Sequence, residues 1–218
     1  MFFQRFLKMK KILLLRNNNK IKNRFENKKL CVVGVSANVG VTHLCLSLAN
    51  FLHSVLGQKV IYIELSKHSQ LLSMVGVKQI LIGDLLAYEY KGVKYILSED
   101  INAISSLMNT EKAWFVIDME ELNYETETIF NNCNNRIIIG SMSPWCQREY
   151  YEYVDNHNLK KYDTSQMTYV VNNIIEKNAK SLKYLCDYVD SSIKRLPLIS
   201  DPFSLKEDNF KELMEFIR

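Results

Sequence analysis

The sequence predicts an α/β fold with a mostly parallel sheet flanked by helices. Three observations carry that expectation. From residue 30 onward, short runs rich in Val and Ile alternate with segments long enough for helices. The runs are continuously apolar, as strands covered on both faces require. Seven Gly and three Pro in 218 residues leave little room for long linkers. Such alternation argues parallel strands joined by right-handed crossovers.

In chain order, residues 1–29 read as a basic N-terminal tail, expected to be flexible, and 30–218 as the folded domain. The tail holds ten Lys or Arg and one acid, Glu26. Its charge of +9 exceeds the chain's net +4, so the remainder sums to −5. The basic balance therefore belongs to the tail, which argues against a nucleic-acid-binding face on the domain. Residues 1–16, "MFFQRFLKMKKILLLR", mix apolar and basic side chains without a small-residue cleavage site. They suit either an unstructured extension or contact with an anionic membrane surface.

Strands are expected at Leu30–Val35, Lys59–Leu65, Ala113–Asp118, Arg136–Ser141, Met167–Asn172 and Ile193–Pro197. Helices are expected at Thr42–Leu56, Asp100–Asn109, Glu121–Cys133, Trp145–His157, Glu176–Asp190 and Ser204–Ile217. "LLAYEYKGVKYILSED" breaks the rhythm, and its two β-prone arms around Lys91-Gly92 predict a hairpin-like excursion. No apolar run approaches the roughly 18 residues that span a bilayer. Five cysteines, Cys31, Cys45, Cys133, Cys146 and Cys186, form no C-x-x-C pair. They read as reduced, mostly buried thiols of an intracellular protein.

The informative stretch is "VGVSANVGVTH", Val33 to His43. It joins an apolar run to a helix-length run, the setting of the phosphate-binding pattern G-x-x-x-x-G-K-[ST]. Gly40 and Thr42 are in place, but Val41 stands where the lysine belongs. The plainer reading is a tight turn and a helix cap.

The loop, the order of elements and "LSLANFL" resemble the MinD/ParA group of deviant-Walker P-loop ATPases. In that group the loop reads K-G-G-V-G-K-T. Here Ser36 replaces the first lysine, Ala37 and Asn38 replace glycines, and Val41 replaces the second lysine. "KVIYIELS" resembles the second strand, with Glu64 for the usual aspartate. "WFVIDME" resembles the Walker B strand, ending at Asp118. "YVVNN" resembles the base-contacting strand and "LPLISDPF" the closing one. "GVGVTHLCLSLANFL", "IIIGSMSPW" and "LPLISDPF" bring the chain nearest the TadZ/CpaE-like branch, associated with pilus assembly and polar localisation in bacteria.

The resemblance implies a Rossmann-like P-loop NTPase fold over residues 30–218, with a degenerate Walker A loop. It implies a nucleotide site at Asn38, Val39, Gly40, Val41, Thr42, His43 and Asn172, with Thr42 and Asp118 toward Mg²⁺ and Glu64 as a further acid. Beside these stand plainer readings: a strand-end acid for Asp118 and a solvated strand end for Glu64. Backbone N–H groups bind phosphate without lysine. The absent charges, however, are those that stabilise phosphoryl transfer. No catalytic residue is assigned. ATP and Mg²⁺ are candidate ligands only.

The expected function is a pseudo-ATPase: a non-catalytic binding or localisation factor, plausibly in a pilus or secretion system. A slow nucleotide-switch ATPase and a DNA-partitioning factor are the alternatives. A protein partner is expected, with a homodimer one form of it. The expected place is the cytoplasm, with attachment to the inner face of the membrane left open.

Overall fold

The computed structural model describes residues 28–65, 69, 71–156, 164–172, 183, 185, 186, 189 and 193–217. Residues 1–27 of the tail, including the membrane-contact reading of residues 1–16, lie outside the described residues, as does most of the expected helix Glu176–Asp190, while Lys29, placed in the tail from sequence, opens the first strand.

Strand β1 (Lys29–Gly34) leads through the loop into helix α1 (Val41–Asn50). Then come β2 (Val60–Leu65), the short α2 (Leu72–Val75), β3 (Gln79–Ile82), β4 (Leu85–Tyr90), β5 (Val93–Leu97) and α3 (Ile101–Thr110). The chain continues through β6 (Trp114–Met119), α4 (Glu127–Asn131), β7 (Asn135–Ser141), α5 (Gln147–Asn156), β8 (Met167–Asn172), β9 (Ile193–Arg195) and α6 (Glu207–Met214). The strands form one sheet in the order β3-β4-β5-β2-β6-β1-β7-β8-β9. Pairing is parallel from β5 to β9, while β4 runs antiparallel to both neighbours. The expected mostly parallel sheet is therefore borne out, and β8 matches its expected run to the residue.

Side-chain alternation sends each strand's apolar residues to two cores. One face buries Ile61, Ile63, Phe115, Ile117 and Ile138 under α3, α4 and α5. The other buries Tyr62, Trp114, Val116 and Ile139 under α1 and α6. Helix α1 is buried from Leu44 to Asn50. Its two interior polar residues bond back one turn, Ser47 Oγ to His43 O at 2.8 Å and Asn50 Nδ2 to Leu46 O at 2.9 Å. Buried polar groups satisfied in this way do not weaken the core. The helix continues as a π-helical segment, Phe51–Val55, and stops before Gly57, whose φ of 67° no continuing helix adopts.

Two local readings are corrected and a third is extended. The expected helix Glu121–Cys133 shrinks to α4, because Asn123 Oδ1 accepts from the N–H groups of Glu125 and Thr126 at 3.0 Å and holds residues 121–126 in a turn. The expected helix Ser204–Ile217 shrinks to α6, since residues 201–204 are taken up by a turn in which Asp201 Oδ1 accepts from Phe203 N–H at 2.8 Å. The hairpin around Lys91 (φ 47°) and Gly92 (φ 81°) forms as expected, but β3 adds a third antiparallel strand that the sequence pattern did not announce.

A close approach between β7 and α5 offers a test of this packing. Tyr150 is fully buried and donates to Ile138 O at 3.0 Å and Val170 O at 3.2 Å. A Cβ on Gly140 would lie 2.2 Å from its ring. Gly140→Ala is therefore expected to cost about 1–3 kcal/mol through overpacking. Tyr150→Phe should cost less, about 1 kcal/mol, because only a hydroxyl is lost. Urea denaturation of both variants checks the ranking.

Candidate functional site

The carboxyl ends of β1, β2 and β6 sit side by side, and the loop between β1 and α1 folds across them. Two residues give that loop its path. Asn38 has φ 61° and Gly40 has φ 106°. A Cβ on Gly40 would lie 2.8 Å from Leu196 Cδ2, so close packing adds to the conformational reason for glycine there. Val39 is buried in the core, and its carbonyl accepts from Asn172 Nδ2 at 3.1 Å. Val41 begins the helix with one methyl turned back toward Gly34, 2.9 Å from where a Cβ would sit.

Beside the loop is a cleft of about 740 Å³. Residues 36–43 form one wall. Leu46, Glu64, Leu65, Leu71, Met74, Asp118, Met119 and Glu120 form the floor and far side, and Ser200, Asp201, Pro202 and Phe203 close it. Seven residues proposed from sequence therefore face one space: Asn38, Val39, Gly40, Val41, Thr42, His43 and Asp118, joined by Glu64. Asn172 does not line it, and its amide instead braces the loop from behind. His43 is engaged as well, its Nε2–H donating to Ile199 O at 2.7 Å.

The centre of the site is Asp118, only 5% exposed. Its Oδ2 accepts from Tyr62 OH at 2.6 Å, and the Thr42 hydroxyl lies near enough to the same carboxyl to influence its pKa. Burial pushes this carboxyl above its ordinary value, the two hydroxyls oppose the shift, and the charge of Glu120 adds to it. Glu64 is the register partner of Asp118 on the adjoining strand. Burial raises its pKa too, the Ser69 hydroxyl opposes the rise, and Asp118 and Glu120 add to it. Tyr62 and Cys45 beneath them are pushed up by burial and then by Asp118.

The residues fit a nucleotide polyphosphate only in part. The turn and the helix N-terminus are present, but the cleft is lined by four carboxylates, Glu64, Asp118, Glu120 and Asp201, and by neither Lys nor Arg among the described residues. A divalent cation fits no better. The Asp118 carboxyl already accepts from the Tyr62 hydroxyl, and no group of three His, Cys, Asp or Glu suited to a metal ion occurs among the described residues.

Sequence reasoning missed Tyr62, Glu120 and Asp201. Tyr62 carried a usable signal, because it lies two residues before Glu64 and so on the same face of β2. Asp201 carried none, as only the tertiary fold brings it to the cleft. Of the tyrosines after Trp145, Tyr150 is buried in the core, and Tyr151 and Tyr153 are partly buried against it.

The fold and the loop position define the architecture of the MinD/ParA P-loop ATPases. The chain superposes on a ParA family ATPase from Chlorobium tepidum with a TM-score of 0.63 and 13% identity, over 87% of this chain and 90% of that one. MinD of Aquifex aeolicus gives 0.58 at 14% identity, covering 85% of each chain. A putative plasmid partition protein from Borrelia burgdorferi, bound to AMPPNP, gives 0.59 at 16%, over 87% of this chain and 95% of that one. At these identities the likeness establishes the fold. No protein-family model matches the chain, and no curated protein does. Among the described residues no helix is long and apolar enough to cross a membrane.

The raised carboxyl of Asp118 has a measurable consequence. The native state takes up a proton there more readily than the unfolded chain does. The stability it contributes is therefore greatest at low pH and is lost as pH rises through the raised folded value. Asp118→Asn keeps an acceptor for Tyr62 and removes the ionisation. The melting temperature of the wild type relative to Asp118→Asn is expected to fall as pH rises above about 4, the ordinary carboxyl value. A constant or rising difference in thermal melts would contradict the assignment.

Proposed function

We propose that the protein is a ParA/MinD-like pseudo-ATPase: a binding or localisation factor that keeps the P-loop architecture without turning over ATP. The observation that carries this reading is the charge of the cleft. Four carboxylates line it, and Val41 and Ser36 stand where the group supplies lysines. Phosphoryl transfer depends on positive charge at the transferring group. One lost electrostatic donor costs about 2.7–4 kcal/mol of barrier, or about 10²–10³ in rate. With two absent and carboxylates in their surroundings, turnover is negligible.

A protein partner fits this role. MinD of Aquifex aeolicus has been solved as a complex with MinC, a precedent for the architecture presenting itself to another protein. The resemblance of "IIIGSMSPW" and "LPLISDPF" to the TadZ/CpaE-like branch supports placement in a pilus or secretion system, in the cytoplasm, with residues 1–16 toward the membrane. One observation favours a second reading, the slow nucleotide switch. Thr42 and Asp118 are side by side, as a magnesium-linked pair would be.

The deciding experiment measures ATP binding and phosphate release for wild type, Val41→Lys and Ser36→Lys/Val41→Lys, each with a Thr42→Ala control. No phosphate release above the control is expected for the wild type. Val41→Lys should improve binding more than rate, since a lysine attracts phosphate in ground and transition states alike. Wild-type hydrolysis abolished by Thr42→Ala would establish a catalytic loop and remove the pseudo-ATPase reading.

A further inference from the structure

Exposed apolar surface is concentrated at one edge of the sheet. Of the eight large hydrophobic side chains exposed among the described residues, five fall between residues 72 and 86: Leu72, Met74, Val77, Leu81 and Leu86. Leu81 is 75% exposed in the middle of β3, and Val77, two residues before the strand, is 91% exposed. Strand β3 is the end strand of the sheet, and its sequence, QILI, carries neither charge nor proline. Edge strands that remain single are usually blunted by such residues. An apolar patch at an unblunted edge marks an interaction surface.

The backbone specifies what kind. The pairing of β3 with β4 sets Leu81 against Leu86 and Ile82 against Leu85, and Lys78 O accepts from Glu89 N–H at 2.9 Å. Bonded and non-bonded pairs alternate along an antiparallel ladder. Lys78, Ile80 and Ile82 thus turn their backbone groups to β4, while Gln79 and Leu81 turn theirs away from the sheet. The side chains divide in the same rhythm. Ile80 and Ile82 pack into the core on one face, so Leu81 lies on the other, beside Leu86.

We propose that β3 pairs antiparallel with β3 of a second copy, about a two-fold axis at Leu81. An edge strand fits itself when its charges complement across the axis, and this one does. Centring on Leu81 sets each Leu81 opposite its counterpart, with their outward N–H and C=O groups exchanging hydrogen bonds. It also brings Lys78 of each copy against Asp84, in the β3–β4 turn, of the other. Centring on Gln79 would oppose Lys78 to Ile80 and leave Asp84 beyond the contact. In the Leu81 register, Leu86, Leu81, Leu81 and Leu86 form one apolar row across the joined sheets. The Lys78–Glu89 ion pair, 3.0 Å within one hairpin, lies beside the incoming Asp84. This contact uses none of the loop residues, so it is independent of any nucleotide-dependent assembly.

The test uses the full chain without nucleotide. Sedimentation velocity should give a concentration-dependent dimer for the wild type. Leu81→Lys places two like charges on the axis and should raise the dissociation constant by about 100-fold or more, with the thermal melt unchanged because the side chain is exposed. Cysteine cross-linking fixes the register. Bonded antiparallel partners have Cα atoms about 5.5 Å apart, within the disulfide range. Leu81→Cys should form a disulfide-linked dimer under mild oxidation. Gln79→Cys and the wild type, which controls for the native thiols, should not. A wild type that stays monomeric at high concentration, a dimer that survives Leu81→Lys, or cross-linking at Gln79→Cys instead of Leu81→Cys would each overturn the proposal.

Discussion

A buried carboxylate with no cation beside it holds the loop end of this molecule together. Asp118 lies near the end of β6 between β1 and β2, joins its own strand to β2 through Tyr62, and lies close to Thr42 at the start of α1. Burying a carboxylate is costly unless hydrogen bonds satisfy it. Hydrogen bonds to charged groups contribute about 1.5–3 kcal/mol each, against about 1 for neutral ones. The Tyr62 hydroxyl therefore offsets part of the cost while leaving the carboxyl easier to protonate than an exposed one. The loop, held over Asp118 by α1 and braced by Asn172, takes its position from this cluster.

The same arrangement decides the electrostatics of the cleft. A helix N-terminus attracts anions by about 0.3–1 kcal/mol, and up to about 2 in partly buried settings. That is the positive element that loop residues 36–43 retain, and the Nε2–H of His43 is already directed at Ile199 O. Against it stand four carboxylates. Glu64 and Asp118 are immediate neighbours across β2 and β6, and each feels Glu120. An architecture that cradles phosphate in other proteins is here enclosed in negative charge, so its geometry and its electrostatics point in opposite directions.

Much of the fold was legible because its signals are local. Continuous apolar runs marked β1, β2, β6, β7 and β8, and Lys91-Gly92, both with positive φ, mark the hairpin whose second arm is β5. Elements of four residues, α2 and β3, gave too short a pattern to read. The early part of the expected helix at 121–133 was lost to one side chain, Asn123, whose carbonyl competes for backbone donors. For the site, the loop, Asp118 and Glu64 could be located from spacing and strand ends. What could not be read was which hydrogen bonds they make. The role of Asn172 as a brace and the arrival of Asp201 both depend on contacts more than 100 residues apart in sequence, and no local pattern records those.

Helix α2 links the two surfaces that distinguish this molecule. Its buried side, Val75, anchors it over the sheet beside β4. Met74 lines the acidic cleft and is also 48% exposed, and Leu72 on the same helix is 47% exposed. In a protein that performs chemistry, the cleft would be expected to carry the groups that stabilise a transition state, and the edge to be blunted. Here the cleft lacks those groups and the edge is left unblunted. Under the pseudo-ATPase reading proposed above, both surfaces suit recognition of another molecule, and α2 contributes Met74 to one of them.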